Sequence, residues 1–486
     1  MIFRAQVTLF SLLLAAAPVR AQFGPPAGGA SAGSRAVQLS VGGTSPGNVQ
    51  GSLPSGETVT EQALPMSLSE AIQRGLKYNL SAVASANAQR EANAVQMNAR
   101  AQLRPDFSGD LREAAQQTNL AAAGLNFSSP PTVPGVTGFS FPSIVGPYHY
   151  FDVRASVTQS VADMTRLHNY RQSKESVRGA AFAAQDSREL IVLTVTEAYL
   201  KGLAWQSRIE TARAQIVTAQ TAYTQAVDRN KNGLNARIDV NRSQLELQTQ
   251  QQRLNALLNE LAKDKIALAR LIGLPQAQAI SLTDKWPFET KDTLPAVNEM
   301  VTLAWSQRPD IQAAQTRVAA AEEARRAAGS EYLPTVSVSA DYGVIGVNPN
   351  QSHGTFGVTA SLHVPIYRSG RIEADVEQAS AGLAQRRAEL QDMRGKAEQD
   401  VRIALLDVDT ATAQMRLAES SRRLAADTVE QAGDRFRAGV ADTVEMVQAQ
   451  ESLTAAEQDY ISAMHSYQLA RVGLARATGA AVKSIH

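Results

Sequence analysis

The chain of 486 residues contains no cysteine. That excludes disulfides, thiolate metal sites and cysteine nucleophiles, and also a bacterial lipoprotein anchor, which is built on a cysteine after the signal. Aromatic residues make up only 5% of the chain. Large globular enzymes draw much of their buried area from Phe, Tyr and Trp, so a chain built on Ala, Leu, Val and Gln points to narrow helix-to-helix contacts. Neither sign of charge dominates. The 47 Lys plus Arg stand against 46 Asp plus Glu, a formal net charge of +1, and no basic stripe of the kind a nucleic-acid face needs is present. Long hydrophobic runs are also missing: Val7 to Ala17 falls well short of the roughly 20 apolar residues of a helical span, and no later segment reaches that length. A membrane crossing would therefore have to be made by a β-barrel. Proline is absent between Pro147 and Pro275 and again after Pro365, which leaves room for very long uninterrupted helices.

The N-terminus reads as a secretory signal over residues 1–21, with Arg4 as the positive charge, Val7 to Ala17 as the apolar run and Val19-Arg20-Ala21 at the cleavage site. The mature chain is expected from Gln22. Residues 22–65 are rich in Gly, Ser, Pro and Ala and are predicted to be disordered or loosely draped. Two GxSxG matches, at Gly29 to Gly33 and Gly43 to Gly47, fall inside this tract. A nucleophile elbow needs a strand before its serine and a helix after it, and neither context exists there. The histidines, His149, His168, His353, His363, His465 and His486, show no HExxH or paired ligand spacing, and no GxxxxGK loop occurs. No enzyme activity, metal site or cofactor is predicted.

An internal repeat organises the rest. Ser67 to Asn79 corresponds, 229 residues on, to Ala296 to Arg308, and the same offset carries Pro105 to Pro334. Further along, Gln225 to Gly233 matches Gln431 to Gly439, and Ala269 to Gly273 matches Ala475 to Gly479, both at an offset of 206. The lost 23 residues lie in an insertion in the first copy, the Pro/Gly/Ser-rich stretch from Gln116 to Pro147. The expected division is repeat 1 over 66–275, a linker over 276–295, repeat 2 over 296–480 and a short tail over 481–486.

Each copy follows one plan. A first amphipathic helix, Ser67 to Leu103 and Ala296 to Tyr332, ends before the proline. Alternating stretches follow. In copy two, Val336, Val338, Ala340 and Tyr342 oppose Ser337, Ser339 and Asp341, and Phe356 to Val364 alternates in the same way. In copy one, Phe151 to Thr158 gives a clear strand and Phe107 to Glu113 a weaker one. The long helical part carries a heptad seam: Ile191, Val195, Ala198, Gly202, Trp205 and Ile209 open a run that alternates spacings of four and three as far as Ala226. Shifted by 206, the seam recurs from Ala397 to Ala432 with only Arg422 polar. Gly233 and Gly439 stand where each long helix should turn back. Four strands cannot close a barrel, and open strand edges are not tolerated in lipid, so several copies are required; two, three or four would give eight, twelve or sixteen strands.

The duplicated plan, the opening Leu68-Ser-Glu70-Ala-Ile with Tyr78-Asn79-Leu80, its echo Gln307-Arg308-Pro309-Asp310-Ile311, Leu333-Pro334, Pro365 to Arg371 and the two turns together resemble the TolC-like outer-membrane efflux channels. The resemblance covers residues 66–480. It implies a mainly α fold with a β-barrel: a homotrimer whose twelve-stranded barrel in outer-membrane lipid continues into a periplasmic tunnel of helices. It implies the exit duct of a tripartite efflux pump or type I secretion system, passively conducting cargo from an inner-membrane transporter, with a periplasmic adaptor (membrane fusion protein) as further partner. By the same resemblance, Asp239, Glu445 and Gln448 line the periplasmic entrance, and Arg229, Gly233, Leu234, Arg435, Gly439 and Val440 form the tips that meet the adaptor. Phe436 and Ala441 stand where the best-known relative has the Tyr and Arg that hold its gate shut, so that lock is not assumed here. The residues also fit plainer roles, a solvated helix face for Glu445, a glycine helix stop and an arginine on the last carbonyls. A periplasmic coiled-coil scaffold or adaptor is the alternative reading, disfavoured by the four half-apolar strands.

Overall fold

The computed structural model describes residues 51–480 apart from 54, 55, 57, 121, 123–142, 234, 235, 285, 287–295, 439, 441 and 442. The expected signal, the tract to residue 50, most of the copy-one insertion, half of the linker, and the tail lie outside the described residues. Among the described residues, no helix is long and apolar enough to cross a membrane.

The first helix of each copy is broken where a single helix was expected. Helix α1 (Leu68–Tyr78) starts with a capping box in which Ser67 and Glu70 satisfy each other's backbone amides, and it stops at Asn79. Asn79 has extended backbone dihedrals, is fully buried, and accepts from the Ser81 amide at 2.9 Å to start α2 (Leu80–Ala101). Copy two breaks at the equivalent place, between α5 (Val297–Gln307) and α6 (Pro309–Gly329), with proline in the first turn of the new helix. Periodicity alone does not see this corner, because the apolar pattern continues across it.

Strand β2 (Asp106–Asn119) and β3 (Ile144–Ala162) pair antiparallel and run longer than the sequence pattern indicated, taking both margins of the insertion into the ladder. With β5 (Thr335–Gly346) and β6 (Ser352–His363) they form one sheet in the order β2-β3-β5-β6. One row across it is Phe107, Val157, Ala340 and Val358; the neighbouring row is Ser108, Ser156, Asp341 and Gly357. The sheet thus has an apolar face, on which Phe356 is 79% exposed, and a polar face, on which Ser108 and Ser156 hydrogen bond at 2.7 Å and Arg154 pairs with Asp341. Beneath it the helices keep the same order: α2 packs on α3 (Met164–Lys231), α3 on α6, and α6 on α7 (Arg371–Arg437).

The long helices α3 and α7 turn back as α4 (Arg237–Leu271) and α8 (Thr443–Ala477). At 1.5 Å per residue α3, with 68 residues, reaches about 100 Å. Every described seam position is buried or half-buried in both copies, and Arg422, the polar exception, stacks on Tyr460 at 4.5 Å. The main apolar cluster lies midway, where Ile191, Val195, Tyr199 and Leu203 of α3 meet α1 and the parallel pair β1 (Leu64–Met66) and β4 (Ile280–Leu282). The Tyr199 hydroxyl donates to the Met66 carbonyl at 2.9 Å, and burial pushes this phenol up to about 12. The chain from Gly51, expected to be loosely draped, is fastened here instead. Its Leu53 amide donates to the Tyr78 carbonyl, its Gly51 carbonyl accepts from Leu80, and Thr60 is held by Gln278. Backbone hydrogen bonds do this, which composition cannot reveal.

Candidate functional site

The two helix turns, about 200 residues apart in sequence, come together at one end of the long helices. The α3 turn needs glycine, since Gly233 has φ of +73° and no neighbour fills the space a side chain would take. Across from it, the Arg229 guanidinium stacks on the Phe436 ring at 4.2 Å. That contact ties the end of α3 to the end of α7. Just behind it the four helices leave a cleft of about 400 Å³, apolar along Val217, Ala222, Val429 and Met446 and closed towards the turns by Phe436.

The other predicted residues sit at this end with partners of their own. Glu445, in the first turn of α8, has its carboxylate 3.4 Å from Arg435 Nε. Asp239, at the matching place in α4, lies 3.8 Å from Arg242. Both carboxylates favour a helix N-terminus, where the backbone amides carry partial positive charge. Gln448 is exposed, one turn further along α8. Val440 is 72% exposed, an apolar side chain presented to solvent. Leu234, Gly439 and Ala441 lie outside the described residues.

Two of the expected tip and entrance residues contact one another. Of the expected tip residues, Arg229 lies on an aromatic ring and Arg435, still exposed, lies beside the acid expected at the entrance. Phe436 bridges the turns through its ring face.

A second constellation was not foreseen. Midway along the helices, Arg476 near the end of α8 binds Asp186 and, at 2.7 Å, Glu189 of α3. Arg308, at the α5–α6 corner, holds Asp310 through two bonds of 3.1 and 2.8 Å and Asp400 of α7 at 2.9 Å. Burial raises Asp186 and Glu189 above the usual carboxylate range despite Arg476. Burial works the same way on Asp310, but its paired bonds to Arg308 bring it below that range. The sequence offered one signal, the Arg308-Pro309-Asp310 corner; Asp186 and Glu189 look like ordinary helix-surface acids. Among the described residues, no group of acids and histidines could hold a metal ion.

Comparison with known proteins agrees with this architecture. The family described as Outer membrane efflux protein matches residues 71–274 and 300–480. Among curated proteins, the chain is 24% identical over 327 residues to the pyoverdine export outer membrane protein OpmQ of Pseudomonas putida, covering 64% of this chain and 67% of that one. It is 22% identical over 297 residues to outer membrane protein TolC of Vibrio cholerae, covering 60% and 67%. Such alignments span about two thirds of the relatives' own length. Among solved structures, the outer membrane protein VceC from Vibrio cholerae superposes with a TM-score of 0.69 at 17% identity, covering 85% of this chain and 96% of that one. The CmeC outer membrane channel of Campylobacter jejuni gives 0.70 at 16%, covering 86% and 88%. The fold is that of these channels, and the matched ranges take in both hairpins and both returning helical pairs: the chain belongs to the outer membrane efflux protein family.

Proposed function

We propose that this protein is the outer-membrane exit duct of a tripartite efflux pump or type I secretion system, passing cargo delivered by an inner-membrane transporter to the exterior. The observation that carries the reading is the sheet. It has one apolar and one polar face, its outer edges β2 and β6 are unpaired among the described residues, and the helices beneath repeat its order. Such a sheet is stable in lipid only when its edges are closed, and copies placed side by side would join β6 to the next β2 and α7 to the next α2. Helix α2 supports this, since it has no buried residue in the single chain and exposes Met97. Three copies, as in the trimeric channels this family resembles, give twelve strands. The polar face then lines the pore, and a periplasmic scaffold would have no use for the apolar one.

At the far end, Glu445 and Asp239 would line the entrance as rings of carboxylates favouring cations. The stacked Arg229 and Phe436 would hold the turns together, and exposed Val440 would offer an apolar contact to a periplasmic adaptor. Single-particle projections of the detergent-extracted protein test the duct. A threefold hollow cylinder longer than roughly 100 Å, as the helices require, is expected; a monomeric or twofold solid rod would end the channel reading.

A further inference from the structure

Below the sheet, helices α6 and α7 border a cleft of about 420 Å³. Its floor is apolar, with Leu383 buried and Val376 half-buried on α7, and on α6 it opens at Gly329, where a side chain would meet no neighbouring atom. Its rim is basic. Arg325, Arg326 and Arg387 reach it against one carboxylate, Glu322. Glu322 holds Arg387 at 2.8 Å and Glu323 holds Arg326, while Arg325 has no ion pair among the described residues. The cleft thus carries an excess of positive charge over an apolar floor.

The chain above the cleft is of a different kind. Leaving α6 and entering α7, it exposes Tyr332, Leu333, Ile366 and Tyr367, the last two at 94% and 84%. The two segments lie side by side, since Arg371 at the start of α7 binds Glu331 at 2.9 Å. Aromatic and aliphatic side chains in a band, with arginines just beneath, are the arrangement found where protein crosses from hydrocarbon to the headgroup layer. Arg325 is four residues, about 6 Å, from the end of α6, within a side chain's reach of that layer.

We propose that this cleft binds the phosphate of an anionic phospholipid from the membrane leaflet facing the helices, with Arg325 as its principal ligand, Arg326 and Arg387 as flanking cations, and the glycerol and upper acyl chain over Val376 and Leu383. The guanidinium fork matches a phosphate in charge and geometry. A free phosphate would use the arginines but not the apolar floor or the exposed band, which is why a lipid is the better occupant. The inference rests on the outer-membrane reading.

The test is native mass spectrometry of the full-length protein after exchange into detergent micelles doped with phosphatidylethanolamine and phosphatidylglycerol. Phosphatidylglycerol should be retained selectively, and Arg325→Gln should reduce its retention about tenfold, the ratio that loss of one charge-assisted contact gives. Gly329→Leu, whose Cβ would meet no neighbouring atom and whose side chain would intrude on the cleft, should do the same with all arginines in place. Arg423→Gln, on exposed α7 far from the cleft, should leave retention unchanged. Equal retention in all four proteins would overturn the proposal. So would stabilisation by inorganic phosphate alone with no lipid retained. Elution of each variant at the wild-type oligomeric size guards against misfolding, and a hollow cylinder without lipid selectivity would sink this inference while leaving the duct intact.

Discussion

Replacing Arg476 by methionine keeps the length and apolar stem of the side chain and removes its charge. In the folded protein this guanidinium is the partner of Glu189, which is only 2% exposed, and of Asp186. The loss leaves two carboxylates of α3 buried beside Asp310 with no cation bonded to them. Breaking a buried pair by removing one partner costs about 3 to 5 kcal/mol; the partial exposure of Asp186 argues for the lower end, about 3 kcal/mol at neutral pH and above. The pH dependence carries the sign of the mechanism. Burial already holds Asp186 and Glu189 above their unfolded values, so the folded state binds protons more tightly than the unfolded chain. These two groups therefore favour the fold at low pH, and that contribution is lost as pH rises through their folded values. Without Arg476 both rise further, so the penalty of the substitution should be smaller at about pH 5 than at about pH 8. Thermal unfolding of the detergent-solubilised protein, followed by circular dichroism at both pH values, reads the difference. Combining Arg476→Met with Glu189→Gln should recover about 1 to 2 kcal/mol, since the residues are in contact and their effects are not additive. A penalty that is the same at both pH values, with no recovery in the double variant, would refute the account and reduce the cluster to surface charge.

Three further outcomes follow from the geometry. In a planar bilayer under a salt gradient, Glu445→Gln should lower cation selectivity and Arg435→Gln should raise it, because the two face each other at 3.4 Å; unchanged reversal potentials in both would remove Glu445 from the entrance. Arg229→Ala abolishes the stacking on Phe436, worth about 0.5 to 1 kcal/mol at an exposed site, and should speed hydrogen exchange at the two turns while leaving the middle of the helices protected. Gly273→Ala should destabilise by more than about 1 to 2 kcal/mol in chemical denaturation, because φ is +75° there and the new Cβ would sit 2.4 Å from that of Tyr78.

Much of this protein was legible in the chain itself. The repeat, the heptad seam and the long proline-free stretches fixed two long helices with returning partners, because helix formation and seam packing depend on spacing within one segment. Alternation of side chains located the strands of copy two, and Gly233 located the α3 turn, for the same local reason. What depended on the tertiary structure was contact between distant segments. The corners at Asn79 and Arg308 are invisible to periodicity, since the apolar pattern runs on through them. The strand margins around the insertion follow the hydrogen-bonded partner and not composition, and the order β2-β3-β5-β6 over α2-α3-α6-α7 exists only once the two copies lie side by side. Arg229 meeting Phe436, and Arg476 meeting Asp186 and Glu189, join residues more than 200 positions apart. A charged side chain on a helix reads the same in sequence whether it faces water or a buried partner; only the fold brings up the opposing group, and with it the desolvation that gives the charge its energetic weight.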